Sequence, residues 1–75
     1  MPHYYFEIET DETLVEDPRG TFYPGDTAAI RGAQRLADEL RQEGLEFLGS
    51  TVQVLNEERK VVAQVLIRPP RQLLQ

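Results

Sequence analysis

The fold is decided by residues 24–44, PGDTAAIRGAQRLADELRQEG, which predict a single helix. Asp26 or Thr27 can accept hydrogen bonds from the free amides of a first helical turn, and the carboxylate of Asp26 also suits the positive end of the helix dipole. Gly44 favours the left-handed conformation that ends many helices, and it would return Leu45 to the helix. The sequence therefore predicts both where the helix begins and where it ends.

This predicted helix is amphipathic and ends near residue 43. Small and apolar side chains recur at intervals of three and four, so they share one face. That face consists of Ala29, Ala33, Leu36, Ala37 and Leu40. Because alanine is small, the helix can lie close to a sheet, and we expect Leu45 to pack back against Leu40.

A segment of alternating polarity precedes the helix and predicts a strand over residues 3–10. Tyr4, Phe6 and Ile8 point to one side and are expected to face the core. The other side carries His3, Tyr5, Glu7 and Glu9. Turn formers at residues 10–13 predict a reversal into a short strand at 14–16. Residues 17–20, DPRG, predict a tight turn, and residues 21–23 predict a short third strand at the sheet edge.

A second hairpin follows the helix. Residues 51–55 and 61–67 are rich in β-branched side chains, and the polar residues 56–60 separate them. One face of the last strand is wholly apolar, namely Val61, Ala63, Val65 and Ile67. The opposite face, Val62, Gln64, Leu66 and Arg68, is only half polar. We expect the consecutive prolines at 69 and 70 to end the strand, because proline cannot donate to a ladder.

These elements predict a two-layer α+β domain of ββαββ order, in which two hairpins form an antiparallel sheet and one helix packs on one face. We expect one domain over residues 1–68 and a short C-terminal tail over 69–75. The predicted core consists of Tyr4, Phe6, Ile8, Ala33, Leu36, Ala37, Leu40, Val52, Val54, Val61, Ala63, Val65 and Ile67.

Composition narrows the classes of function. The 75 residues have a net charge of −5 and no cysteine, which excludes disulfides and thiolate metal sites. Residues 1–26 carry seven acidic residues and one basic residue. Such a chain lacks the positive field that attracts nucleic acid, so we expect no nucleic-acid partner. It also lacks a signal peptide pattern and a membrane-spanning run, so we expect a cytoplasmic protein without a membrane partner.

The best candidate for catalysis or metal binding is the set His3, Glu7 and Glu9 on the first strand. Imidazole and carboxylates suit zinc or iron, but residues two apart in a strand lie about 7 Å from one another. Ser50, the only serine, has no predicted base beside it. We therefore expect a protein that is not an enzyme and has no cofactor or metal. A small metal-dependent enzyme remains the less favoured alternative.

The sheet face opposite the helix is a better candidate for function. Apolar patches among polar residues are typical of protein contacts. We predict a protein-interaction or accessory module that binds a protein partner or itself, as a homodimer through its sheet. The predicted contact residues are Tyr5, Val62, Gln64 and Leu66.

The chain resembles a family of short, uncharacterised bacterial proteins described as a domain of unknown function, over residues 1 to about 67. The likeness is carried by Met1-Pro2-x-Tyr4-Tyr5-Phe6-x-Ile8, by Asp17-x-x-Gly20, and by the alanines at 29 and 33. Members typically have Asp-Glu-Asp-Gly at the tip of the second hairpin, whereas this chain has Asn56-Glu57-Glu58-Arg59. The resemblance implies either that Arg59 adopts a strained torsion or that the loop is longer. It implies no catalytic residue.

A second resemblance concerns the start of the helix. Gly25-Asp26-Thr27 and the alanine-rich segment after it are similar to partial ribonuclease-H-like antitoxin domains, which neutralise a toxin by binding it. This resemblance implies a regulatory domain that binds a partner protein, which is an alternative to the accessory module.

Overall fold

The structure, a computed structural model, describes residues 2–43 and 47–68. Its elements in chain order are β1 (His3–Glu9), β2 (Leu14–Val15), β3 (Thr21–Phe22), α1 (Asp26–Glu43), β4 (Thr51–Leu55) and β5 (Val61–Leu66). Our predictions for Gly44 and Leu45, for the consecutive prolines and for the tail 69–75 lie outside the described residues. The predicted α+β class is confirmed.

One helix lies against an open antiparallel sheet of five strands. The strand order is β2-β1-β4-β5, and β3 also pairs with β1. The predicted two hairpins are therefore present, and the predicted third edge strand is Thr21–Phe22. β1 and β4 form the centre of the sheet, where Phe6 lies opposite Val54 and Ile8 opposite Val52.

β2 and β3 lie end to end along the same edge of β1. In an antiparallel strand, the backbone N–H and C=O groups of alternate residues point to opposite edges. The amide of His3 donates to Glu57, on the side of β4, whereas Pro2 and Phe6 bond to residues of the β2–β3 segment. The two short strands therefore act as one strand that the loop at 16–20 interrupts.

Asp17 and Gly20 join that loop to β1. The Asp17 carboxylate accepts hydrogen bonds from the backbone amides of Phe6, Arg19 and Gly20, at 3.2, 3.2 and 2.9 Å. Gly20 has a φ of +69°, and a Cβ there would lie 2.5 Å from the His3 ring and from the Tyr4 carbonyl oxygen. Only glycine combines this left-handed torsion with such a close approach.

The core lies between α1 and the sheet. The alanine-rich face of the helix packs on Tyr4, Val52, Val54 and Ile67, all of which are buried. Phe6 and Ile8 are half-buried and pack against this cluster, as predicted. The partly buried members on the helix side also include Leu36, Ala63 and Val65.

Two predictions about burial are wrong. Val61 was expected in the core but is 49% exposed, because it starts the outermost strand beside a register shift between Val54 and Leu55. Glu7 was expected on a solvated face but is only 9% exposed. Its carboxylate lies beneath Arg59 at the tip of the second hairpin, which covers it.

Aromatic side chains lock the start of α1 to the sheet. The Tyr4 hydroxyl donates a 2.5 Å hydrogen bond to Asp26 Oδ1, at the first residue of the helix. This bond to Asp26, together with desolvation and the nearby negative charge, raises the pKa of Tyr4 to about 12. Tyr23 packs edge-on to Tyr4, at a centroid distance of 6.1 Å, and lies so close to Gly32 that a Cβ there would clash with its hydroxyl.

Candidate functional site: the open face of the sheet

The open face is the side of the sheet opposite α1. Residues that pair directly across antiparallel strands share a face, so the register defines its members. Tyr5 pairs with Leu55, Glu7 with Gln53 and Glu9 with Leu14. By the same rule the open face consists of His3, Tyr5, Glu7, Glu9, Leu14, Phe22, Thr51, Gln53, Leu55, Val61, Gln64 and Leu66. Val62, the extra residue at the register shift, packs against the core instead. Among the described residues, no helix covers this face.

A row of stacked side chains crosses the open face. The rings of Phe22 and His3 lie 4.4 Å apart, and those of His3 and Tyr5 lie 5.1 Å apart. The Arg59 guanidinium carbon lies 3.8 Å from the centre of the Tyr5 ring. Arg59 also lies 3.5 Å from Glu7 Oε2. We call these five side chains the stacked row. The stacked row therefore presents aromatic rings and one cation, Arg59, which is already paired with Glu7.

The tip of the second hairpin positions Arg59. The amide of Arg59 donates to the Asn56 carbonyl at 2.9 Å, and the Asn56 side chain accepts from the amides of Glu58 and Lys60. Arg59 itself has a φ of +64°, in the left-handed region. A turn of this length followed by a left-handed residue is one of the common hairpin connections, and glycine is its usual residue there. The torsion that the family resemblance implied for Arg59 is therefore confirmed.

His3 is held on three sides. Its Nε2 atom lies 2.5 Å from the Arg19 carbonyl oxygen, its ring contacts Tyr5 and Phe22, and its amide donates to Glu57 at 3.0 Å. Glu7, the second member of the metal hypothesis, faces a cation instead. Across residues 2–43 and 47–68, no group of three or more histidine, aspartate or glutamate side chains converges as metal ligands would.

The four predicted contact residues lie on two strands. Tyr5 is half-buried under Arg59 in the centre of the sheet, while Val62, Gln64 and Leu66 lie on β5. Leu66 is 50% exposed and Gln64 is exposed, whereas Val62 is half-buried. The structure thus places Tyr5 in the stacked row and the other three along the outermost strand.

The predicted contact residues did not include Arg59, His3 or Phe22, which the structure adds to this surface. Phe22 is 56% exposed and leans on His3 because the register sets the two opposite each other. The only signal for Arg59 was its place where glycine is usual, which pointed to its backbone and not to its side chain. The partnership of Arg59 with Tyr5 depends on the curl of the hairpin tip over the sheet.

A cleft of about 380 Å³ separates α1 from β5. Its helix side is lined by Ile30, Gln34, Asp38 and Arg41, and its sheet side includes Gln64 and Leu66. Asp38 and Arg41 pair with each other at 3.6 Å. The cleft therefore opens along the outer edge of the sheet and not onto the stacked row.

A family model described as Domain of unknown function (DUF6894) matches residues 3–68. The chain belongs to this family. The match spans every strand and the helix of the DUF6894 domain as the structure describes it. No curated protein and no solved structure matches the chain.

The structure describes one helix in this DUF6894 domain, α1, and it does not combine the length and the apolar character that crossing a bilayer requires.

Proposed function

We propose that this DUF6894 domain is a non-enzymatic protein-interaction module of the bacterial cytoplasm, and that it binds its partner through the open face. One observation carries the proposal. The helix covers only one side of the sheet, and the other side retains a row of ordered aromatic rings beside exposed apolar side chains. Large aromatic side chains are enriched at protein contacts because each one removes much apolar surface from water.

The order of the stacked row supports binding. Tyr5 lies between His3 and Arg59, and Arg59 is fixed by Glu7 and by the hairpin turn. When a partner docks on Tyr5, few rotamers of the side chains in the stacked row therefore remain to be restricted. Freezing a flexible side chain at an interface costs about 0.5–1.5 kcal/mol, so a prearranged surface keeps more of its contact energy.

The charge around the row indicates what kind of surface the partner has. Seven of the first 26 residues are acidic and one is basic, and Glu9 on the open face is exposed. We therefore propose a partner that presents an apolar contact surrounded by lysine or arginine. Nucleic acid also carries the wrong charge for this surface. Association with a basic partner would slow as salt screens the attraction.

The same contacts argue against catalysis on this face. A general base needs a nitrogen or oxygen that is free to reach a substrate proton. His3 Nε2 lies against a backbone carbonyl, and the Glu7 carboxylate lies against Arg59 and is almost fully buried. These two side chains shape the binding surface by holding Tyr5 in place.

The test is a quantitative capture experiment with the full chain. Tyr5→Ser and Leu14→Ser remove apolar contacts from the open face, and Arg35→Ser changes an exposed helix residue as the matched control. We expect one partner to bind wild type and the Arg35 variant equally, and to bind each open-face variant at least about tenfold more weakly. If captured proteins bind all four chains alike, the open face is not the contact surface.

A further inference from the structure

We propose that a second copy of this chain pairs antiparallel with β5, so that two sheets join edge to edge into one continuous sheet. The site is the outer edge of β5 and not the open face. This proposal is therefore independent of the partner that binds the stacked row.

The first argument concerns the backbone of β5. The amide of Ile67 donates to Ser50 and its carbonyl accepts from Gly49, so the odd-numbered residues of this segment face β4. The N–H and C=O groups of Gln64 and Leu66 therefore point away from the sheet. Val62 is the extra residue at the register shift and interrupts this alternation. Within the described ranges 2–43 and 47–68, no strand pairs with that side of β5. A row of such groups is a template for another strand.

The second argument is that β5 has only one of the features that normally protect an edge, namely the register shift at Val62. Natural edge strands carry charged residues, proline or bulges that discourage pairing, or they are very short. β5 is six residues long, VVAQVL, and contains neither a charge nor a proline. The nearest charges, Lys60 and Arg68, lie just outside it. A strand of this kind is covered in the working protein, because exposed it would promote aggregation.

The third argument is that β5 is complementary to itself. A two-fold axis at Gln64 sets Gln64 opposite the partner's Gln64 and brings Leu66 to the partner's register shift at Val62. The outward-facing N–H groups of Gln64 and Leu66 in each copy then supply about four backbone hydrogen bonds across the joint. Leu66, which is 50% exposed, would be partly covered by the partner's strand. A symmetric joint of this type is the commonest arrangement in homo-oligomers.

The cleft beside β5 supports the same occupant. This two-fold axis keeps both helices on one side of the joined sheet, with the two clefts facing each other across the seam. Asp38 and Arg41 line the cleft together, so each copy offers both an acidic and a basic side chain to the other. Ile30, half-buried at the cleft, would be covered further. A second copy, which has the same edge and the same helix, matches both features.

The experiment is to measure the mass of the full chain by light scattering over a range of concentrations. We expect about twice the chain mass of 8.6 kDa for the wild type. Gln64→Pro removes an outward-facing N–H and leaves the ladder to β4 intact, so it should fold and be monomeric. Gln64→Thr is the matched control, because it changes the side chain but keeps the amide. It should remain dimeric.

Hydrogen exchange on the wild type supplies a reading that does not depend on any variant. We expect the amides of Gln64 and Leu66 to exchange at least about 100-fold more slowly than the same amides in the unfolded chain. A monomeric wild type overturns the proposal, whether or not these amides are protected. So does a dimer in which they exchange rapidly. A Tyr5→Ser chain that stays dimeric but loses its partner would separate this joint from the open face.

Discussion

The two edges of the sheet satisfy their backbone groups in different ways. At the closed edge, β1 is covered by β2 and β3, and Asp17 bridges the gap between these two short strands with three hydrogen bonds to its carboxylate. At the open edge, β5 runs for six residues without a charge, a proline or a described neighbour on its outer side. Two short strands and the Asp17 side chain thus cover one edge of the sheet. The backbone groups of the other edge have no partner strand within the described residues. This difference is the basis on which we propose that the second edge is an interface.

The largest effect is expected at the closed edge, from Gly20→Ala. The new Cβ would clash with the His3 ring and with the Tyr4 carbonyl, and alanine would have to adopt a left-handed torsion. We expect a loss of about 3 kcal/mol in the free energy of unfolding, measured by urea denaturation. Gly25→Ala is the matched control, because a Cβ at that position would have no atom within 4 Å and the φ of Gly25 is not left-handed. It should be neutral or slightly stabilising.

A smaller loss of stability is expected from Asp17→Ala, which removes hydrogen bonds at the closed edge and introduces no steric clash. The amides of Phe6 and Gly20 lose their acceptor, and we expect a loss of about 2 kcal/mol in the free energy of unfolding. Because the edge is then exposed, aggregation on heating should also increase. Glu16→Ala, an exposed neighbour, should change neither quantity measurably. Equal behaviour of the two variants would show that Asp17 does not close this edge.

The hairpin tip just before β5 holds Arg59, and substitutions there test how much its contacts contribute to stability. Arg59→Ala keeps the left-handed torsion but removes the contacts with Tyr5 and Glu7, and we expect a loss of about 1 kcal/mol. Arg59→Gly removes the same contacts and also the strain, so it should be about 1 kcal/mol more stable than the alanine variant. Thermal or urea unfolding of both variants checks this order. The reverse order would mean that the turn does not require a left-handed residue.

The smallest expected effect is the pH dependence of the stability that Tyr4 contributes. Tyr4 pairs with β3 at the closed edge, and its hydroxyl donates a hydrogen bond to Asp26 at the start of α1. Its folded pKa of about 12 lies above the ordinary value of 10, so the folded state holds this proton more tightly. The stability from the bond is full below about pH 10 and is lost as the pH rises toward 12. The stability difference between wild type and Tyr4→Phe should therefore narrow over that range in urea titrations. A constant difference would place the stabilisation elsewhere.

Much of the fold could be predicted from local patterns. The spacing of Ala29, Ala33 and Ala37 sets one helical face, and the structure buries all three. The alternation in β1 placed Tyr4 and Phe6 on the helix side correctly. These predictions hold because periodicity and turn residues act over a few neighbouring positions.

The candidate site was less accessible to such reasoning. Glu7 looked like a solvated side chain because alternation places it on the face away from the core. It is buried by Arg59, which lies 52 positions later in the sequence and reaches it only when the hairpin tip curls over β1. The prediction for Val61 was wrong for a related reason, since an extra residue in β5, Val62, shifts the register and interrupts the alternation that would have buried Val61. Neither a long-range pairing nor a bulge leaves a periodic signal.

By itself, the sequence determined that this chain forms one helix over an antiparallel sheet, because hydrophobic spacing, capping residues and turn formers are local properties. Only the tertiary structure decided which edge of the sheet is closed and which residues flank Tyr5. Those outcomes depend on strand order and register, which bring distant residues such as Phe22 and Arg59 onto one face. The surface that we assign to function is therefore a product of pairing between segments that are far apart in the chain.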